Sequence, residues 1–106
     1  MNSRSFALTA MLTLVFGMAG TATAGDISRG EGISSTCIAC HGPGGNSTMP
    51  AMYPSIAGRD ADELAALLHG YRDGDIQDSQ MAPQAAHLTD QDIEDLAAYF
   101  AAQEAK

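Results

Sequence analysis

Cys37-Ile38-Ala39-Cys40-His41 is the stretch that decides how this sequence is interpreted. Its two thiols are three positions apart, about one helical turn, so both face the same edge of a flat ligand. The histidine that follows directly is placed to bind a metal at the centre of that ligand. This is the C-x-x-C-H pattern of covalent haem attachment. It predicts one haem c, held by thioethers to Cys37 and Cys40, with His41 bound to the iron.

Closely spaced cysteines also occur in three other kinds of site. A disulfide between Cys37 and Cys40 would suit an oxidising compartment. A thioredoxin-like redox pair needs a strand-helix-strand pattern around it, and no segment here alternates with a period of two residues. A zinc site needs four ligands, and the sequence has no second Cys/His cluster. Haem attachment is therefore the preferred interpretation.

The first residues have the features of a secretory signal peptide. Arg4 precedes an apolar run over 6–16, and Ala22-Thr23-Ala24 forms a small-x-small cleavage site. The apolar run is too short to span a membrane as a helix. We therefore expect residues 1–24 to be removed after Ala24 and residues 25–106 to form one haem domain in the periplasm. An uncleaved membrane anchor is the alternative.

The chain is acidic, with 13 Asp and Glu, 5 Lys and Arg, and a net charge of −8. Arg4 is the only charged side chain in the predicted signal peptide, so the remaining domain is slightly more negative. Such a domain is repelled by nucleic acid and by anionic membrane surfaces, so neither is an expected partner. Its charge favours redox protein partners with a basic docking surface. Solubility or a saline habitat explains the same composition equally well.

Three helices joined by irregular segments at 42–54 and 73–83 are predicted, with no sheet. The first runs from about Asp26 to the cysteines, although its two glycines disfavour a helix. Each of the other two has cap residues followed by one apolar face at helical spacing. In the second helix the cap residues Asp60 and Glu63 precede the apolar residues Leu64, Leu67, Leu68 and Tyr71. In the third helix the cap residues Thr89 and Asp92 precede the apolar residues Ile93, Leu96, Ala97 and Phe100. A domain of this size buries little apolar surface. We therefore expect a cofactor to fill its centre.

Met81 is the candidate for the second axial ligand of the iron. Met49 and Met52 follow His41 too closely to reach the far side of a porphyrin, and we interpret both as packing or loop residues. Met81 lies forty residues after His41, beyond the second helix, where a chain wrapped around the haem brings it to the far face. Its alternative role is to fill the core. His69 and His87 are interpreted as surface or cap-region residues, with His87 kept open as a second histidine ligand.

A longer set of residues resembles a known family. It comprises the haem motif, Gly42, 45–47, Tyr53 to Gly58, Gly70 to Ile76, and Met81 with 88–100. Over nearly the whole of residues 25–106 the chain resembles a class I cytochrome c, with a small all-α fold around one haem. It is similar to one half of the diheme c-four group and to the haem domain of flavocytochrome c sulfide dehydrogenase. Those relatives often carry two such domains, whereas this chain has one.

The resemblance implies roles for further residues. The Pro54 carbonyl would accept the ring N–H of His41, which makes the histidine a better ligand. Ile56 would pack on the haem face, and Gly30 and Tyr99 would lie where the first and last helices cross. Arg59 would reach a haem propionate, although a solvated arginine is an equal alternative.

Three functions are consistent with this interpretation. The first is a periplasmic one-electron carrier, monomeric and not an enzyme, in which His41 and Met81 fill both axial positions. The second is an electron-transfer subunit of a periplasmic oxidoreductase such as a sulfide-oxidising flavoprotein. The third, an enzyme or sensor with an open iron site, requires that Met81 is not a ligand.

Overall fold

The computed structural model describes residues 24–106, and within that range it is built from helices without any strand. In chain order these are α1 (Ile27–Gly32), α2 (Ser35–His41), a 3-10 turn (Pro43–Gly45), α3 (Ala61–Asp73), α4 (Met81–Ala85) and α5 (Asp90–Ala101). The predicted all-α class is confirmed. Apart from Ala24, the predicted signal peptide lies outside the described residues. None of the helices in the described range is long and apolar enough to cross a membrane.

Helices α1 and α5 cross at Gly30, which is buried. A Cβ atom at this position would lie 2.1 Å from the carbonyl oxygen of Asp95 and 2.8 Å from the Cβ of Tyr99. Real Cβ atoms do not approach other atoms this closely, so only glycine allows the two backbones to meet. The predicted contact between Gly30 and Tyr99 is confirmed.

A buried carboxylate joins the same two helices. Asp95 on α5 is fully buried, and one of its oxygens accepts a hydrogen bond of 2.7 Å from the backbone N–H of Asp26. Its other oxygen accepts one of 2.6 Å from the guanidinium of Arg29, and Gln91 donates a third. Burial by itself raises the pKa of the Asp95 carboxyl, but these hydrogen bonds outweigh burial and hold the pKa below its ordinary value. The carboxylate therefore fastens α1 to α5 as a charged group.

Helices α3 and α5 pack together and supply most of the apolar core. The buried residues are Leu64 and Ala65 on α3 and Ile93, Leu96, Ala97, Tyr99 and Phe100 on α5. The predicted capping box of α5 is present, with reciprocal hydrogen bonds between Thr89 and Asp92. At α3 only half of the box forms: the Asp60 carboxylate accepts from the backbone N–H of Glu63, while the Glu63 side chain pairs with Arg59.

Two elements differ from the three-helix prediction. The first predicted helix is two helices, because α1 ends at Gly32 and the chain restarts at Ser35 after a buried Ser34 whose hydroxyl donates to the carbonyl of Glu31. The second predicted irregular segment contains the short helix α4, which begins at Met81. Neither feature has a long apolar periodicity, which explains why the sequence pattern did not reveal it.

The segment after α2 is fastened to the end of the chain. The carbonyl of Gly45 accepts hydrogen bonds from the backbone N–H groups of Ile56 and Ala57, at 2.8 and 3.1 Å. The N–H of Gly58 donates to the carbonyl of Phe100 at 2.9 Å. The side chain of Asn46 bonds to the backbone of both Glu104 and Lys106. These bonds fix the irregular segment that contains Pro54.

Candidate cofactor site

A cavity of about 510 Å³ lies between the helices, and it contains the motif residues. Its volume is within the range of roughly 300–1,000 Å³ that is usual for small-molecule and cofactor sites. Its walls come from α2, α3, α4, α5 and the segment before α3. The site is thus assembled from parts of the chain that are far apart in sequence.

Helix α2 presents Cys37, Cys40 and His41 to this cavity. The two thiols are not joined to each other; Cys37 is half-buried and Cys40 is exposed. Burial raises the pKa of the Cys37 thiol above its ordinary value. Both sulfur atoms are thus available to bond to another group at the cavity wall.

His41 is buried, and its orientation is fixed by Pro54. The Nδ1 atom of the ring lies 2.7 Å from the carbonyl oxygen of Pro54. A carbonyl oxygen only accepts hydrogen bonds, so Nδ1 carries the proton and donates it. In the neutral ring, this bond leaves the other nitrogen, Nε2, without a proton and free to bind a metal ion. The hydrogen bond that the family resemblance implied is therefore present.

Met81 reaches the same cavity from α4. It is the first residue of that helix and is half-buried. An imidazole from α2 and the methionine side chain from α4 therefore line one space. This pair of donors is a known axial set for haem iron.

Much of the remaining wall is apolar. Leu67, Leu68 and Tyr71, which the sequence assigned to the buried face of α3, are only half-buried and line the cavity. Ile56, Leu96 and Phe100 line it as well. The apolar face of α3 thus packs partly against the protein core and partly lines the cavity. A ligand in the cavity would cover the part that the core leaves exposed. A flat apolar ligand with a metal centre fits this lining.

Arg59 lies at the cavity wall and is paired with Glu63 on α3. Both side chains are substantially exposed, so the pair itself adds little stability. Both interpretations of this arginine are consistent with its position, and the propionate contact stays a prediction.

The other candidate ligands lie in different places. Met49 is half exposed and is outside the cavity wall, whereas Met52 lines the cavity although its exposed fraction is 60%. His69 contacts Arg72, with 3.2 Å between Nδ1 and a guanidinium nitrogen. His87 is exposed and lines a smaller neighbouring cavity of about 160 Å³, which Met81 and Cys37 also line. Met52 was interpreted as a packing or loop residue, so its contact with the cavity was missed.

Donor chemistry distinguishes haem from a bare metal ion. Among residues 24–106, no three side chains of His, Cys, Asp or Glu are grouped closely enough to hold a metal ion. A zinc site would need such a group. Two unpaired thiols, an oriented imidazole, a thioether and an apolar wall are instead the features that a covalent haem requires. The residues present therefore fit a c-type haem.

Asp78 also lines the cavity, and sequence reasoning did not single it out. One of its carboxylate oxygens accepts hydrogen bonds of 2.9 Å from the backbone N–H groups of Gln80 and Met81. These bonds hold the pKa of the carboxyl below its ordinary value, since the N–H dipoles favour the charged form. The aspartate itself was a possible signal, because a capping side chain accepts from the backbone N–H groups two or three residues after it.

Comparison with known proteins identifies the family. The family model described as “Cytochrome C oxidase, cbb3-type, subunit III” matches residues 25–100. The chain belongs to this family of c-type cytochromes, which are electron-transfer proteins that carry a covalently bound haem. The resemblance inferred from the sequence is therefore confirmed.

Particular relatives refine this assignment. Cytochrome c-554(548) of Halomonas halodenitrificans is 42% identical over 84 residues, which is 76% of this chain and 100% of the relative. Cytochrome c4 of Pseudomonas aeruginosa is 40% identical over 87% of this chain and 46% of its own length. The cytochrome subunit of sulfide dehydrogenase of Chlorobaculum tepidum is 34% identical over 69% of this chain and 64% of the subunit.

A solved structure gives the same result for the fold. The crystal structure of reduced recombinant cytochrome c4 from Pseudomonas stutzeri superimposes with a TM-score of 0.74 at 35% identity. The match covers 78% of this chain and 48% of the other. The chain therefore has the class I cytochrome c fold, and it spans about half the length of the cytochrome c4 proteins that it matches.

Proposed function

We propose that this chain is a periplasmic one-electron carrier with a single haem c, attached through Cys37 and Cys40 and ligated by His41 and Met81. The hydrogen bond between His41 and Pro54 is the observation that carries the proposal, because it leaves Nε2 of the imidazole free. When bound, the haem supplies a one-electron iron couple of moderate to high potential, as methionine ligation favours the reduced state.

The residues of the chain have separate tasks in this proposal. The Pro54 carbonyl keeps the proton on Nδ1 of His41 and so maintains the ligand in one tautomer. The apolar wall that includes Ile56, Leu68 and Phe100 keeps water from the faces of the ligand. Arg59 is placed to offset negative charge at the cavity wall. Residues 1–24 act as the signal peptide that directs 25–106 to the periplasm.

Visible spectra test the ligand set. The chain is coexpressed with a c-type maturation system, and the oxidised protein is examined for the weak far-red band of iron bound to methionine sulfur. We expect the band in the wild type and in His87→Ala, and its loss in Met81→Ala. A wild type that lacks the band, and whose spectrum changes in His87→Ala but not in Met81→Ala, would instead support a second histidine ligand. A wild type that lacks the band and binds carbon monoxide tightly when reduced would support an open iron site.

The haem count is tested separately. Iron and protein are determined on the same purified sample, after a mass measurement has located the N-terminus. We expect one iron atom per chain and the mass of a polypeptide that begins at Gly25. A mass that still includes residues 1–24 would contradict the cleavage proposal.

The acidic charge suggests how partners find the protein. With 13 acidic and 5 basic residues, we expect a partner whose docking surface is basic. Among the Asp, Glu, Lys and Arg side chains of residues 24–106, only Arg59 and Asp78 line the cavity, so most of the charge lies outside its wall. The charges would then steer the encounter from a distance, and added salt should slow electron transfer steeply. A rate that does not respond to salt would contradict steering.

A second candidate function is an electron-transfer subunit of a periplasmic oxidoreductase. The similarity to the cytochrome subunit of sulfide dehydrogenase favours it. Purification of the tagged chain from its native periplasm tests the two possibilities. Co-purification with a larger flavin-containing chain supports the subunit, and a clean monomer supports the free carrier.

A further inference from the structure

The first turn of α4 carries Met81, and none of its residues is fully buried. The helix has five residues, which is too short to be stable by itself. Its C-terminal end is anchored by Ala85, which is fully buried. Before the helix, 73–80 are all exposed, and the last anchor is Ile76, whose side chain packs against Gly70 of α3. Between Ile76 and Met81 the chain has no buried residue.

Asp78 supplies the hydrogen bonds that this turn needs. Its carboxylate accepts from the N–H groups of Gln80 and Met81, and its backbone carbonyl accepts from Ala82 at 2.9 Å. Gln80, which precedes the helix, makes no side-chain cap of its own. Asp78 is therefore the cap of α4, and one of its bonds goes to the backbone of Met81 itself.

We propose that Asp78 is a positioning residue, which holds the backbone of Met81 so that its sulfur stays on the haem iron. This inference rests on the proposed ligation by His41 and Met81. A thioether is a weak and neutral ligand, so its bond survives only if the backbone that carries it does not move away. The carboxylate acts through the one oxygen that accepts both N–H bonds, and its charge strengthens those bonds.

Competition with imidazole measures how firmly Met81 is held. Free imidazole binds ferric haem only when the methionine leaves, so its apparent affinity reports the fraction of protein with Met81 detached. In Asp78→Ala we expect this affinity to rise about fivefold, which corresponds to the usual loss of a helix cap. Asp78→Asn keeps a weaker acceptor oxygen in place and should raise the affinity less than Asp78→Ala does.

Asp75→Ala is the matched control for charge. Asp75 is exposed in the same loop, and its side chain makes no hydrogen bond or ion pair within the described residues. The control should retain the wild-type affinity. An equal rise in Asp75→Ala, or an equal rise in Asp78→Asn, would overturn the proposal, because charge alone would then be the cause. An unchanged affinity in Asp78→Ala would overturn it as well.

Two further variants keep the test decisive. Asp78→Glu retains the charge but moves the carboxylate by one methylene group, so it should raise the imidazole affinity even if Asp78→Ala does not load haem. A wild-type affinity in Asp78→Glu would then overturn the proposal. Met81→Ala gives the upper limit of imidazole binding. If Met81→Ala binds imidazole no better than the wild type, the ligation itself is wrong, which is a different failure.

Discussion

The two sides of the cavity are built in different ways. The His41 side, which we define as 35–58, is held by packing and by hydrogen bonds. His41 is buried, and Gly45 packs closely against Ile56 and Phe100. A backbone hydrogen bond also joins this segment to the C-terminal end. The Met81 side, defined as 74–86, is mainly exposed and ends in a five-residue helix with an aspartate cap. Both sides contribute a candidate iron ligand to the same space.

Because of this contrast, the two candidate ligands do not depend equally on the fold. The orientation of His41 follows from a hydrogen bond within a segment that is already fixed by packing. The position of Met81 depends on a few hydrogen bonds at the surface, which exchange more easily with water. We expect changes on the His41 side to affect the whole protein, and changes on the Met81 side to affect mainly the iron.

The largest difference between changes on the His41 side and changes on the Met81 side should appear in the covalent attachment of the haem. In the double variant Cys37→Ala, Cys40→Ala, no thioether can form, so no haem should stay with the chain on a denaturing gel stained for haem. In Met81→Ala the haem should stay fully attached, and only the far-red band should disappear. Haem that remains on the double variant after denaturation would contradict attachment at this motif.

A pair of glycines compares the packing of the two sides. Gly45 and Gly74 both have φ of +86°, but a Cβ at Gly45 would lie 2.9 Å from Ile56 and Phe100, whereas one at Gly74 would meet nothing within 4 Å. Gly74→Ala should cost about 1–2 kcal/mol of unfolding free energy from backbone strain alone. Gly45→Ala should cost roughly 2–5 kcal/mol, because overpacking adds to the strain. Denaturant unfolding measures both, and equal costs would show that the two sides are packed alike.

The buried carboxylate of Asp95 makes stability depend on pH. Its pKa in the folded protein is lowered by hydrogen bonds from Asp26 and Arg29, so the stabilisation is fully present above the unfolded value of about 3.9. It is lost as the pH falls through the lower, folded-state pKa. Asp95→Asn should lower the unfolding free energy at pH 7 by roughly 1–3 kcal/mol.

Acid unfolding tests the sign of that effect. The stability difference between wild type and Asp95→Asn should shrink as the pH falls below about 4. Asp75→Asn, in the exposed loop, is the control for the loss of one negative charge and should leave the stability at pH 7 unchanged. A difference that stays constant down to pH 2 would mean that the charge of Asp95 contributes nothing.

The smallest effect is expected at Arg59. Its pair with Glu63 is exposed, so Arg59→Gln should leave the melting temperature nearly unchanged. If the guanidinium lies near a haem propionate, loss of its positive charge disfavours the reduced state and lowers the reduction potential. We expect a decrease below about 60 mV, which is the change for a tenfold shift in a one-electron equilibrium. A potential equal to that of the wild type would identify Arg59 as a solvated arginine.

Much of the fold could be predicted because its signals are local. Helix α5 has a capping box and an apolar face at regular spacing, and both occur as predicted. The haem motif, with its two cysteines and histidine inside five residues, is enough to identify the cofactor class. The break at Ser34 and helix α4 could not be predicted, since neither has a periodic pattern long enough to recognise.

In the candidate site, too, some features follow from local sequence and others depend on tertiary packing. Residue type and local spacing were sufficient to predict the cofactor class and the all-α class, because each depends on neighbouring residues alone. The same spacing makes Cys37 and Cys40 the proposed attachment residues and His41 the proposed ligand. Tertiary packing was needed to show that Asp95, in an acidic run with Asp90, Asp92 and Glu94, is buried while the other three are not. The same packing places Asp78 and Met52 at the cavity and divides the apolar face of α3 between core and cavity. These outcomes depend on which surfaces of distant segments meet, and that information is not contained in the spacing of residues along the chain.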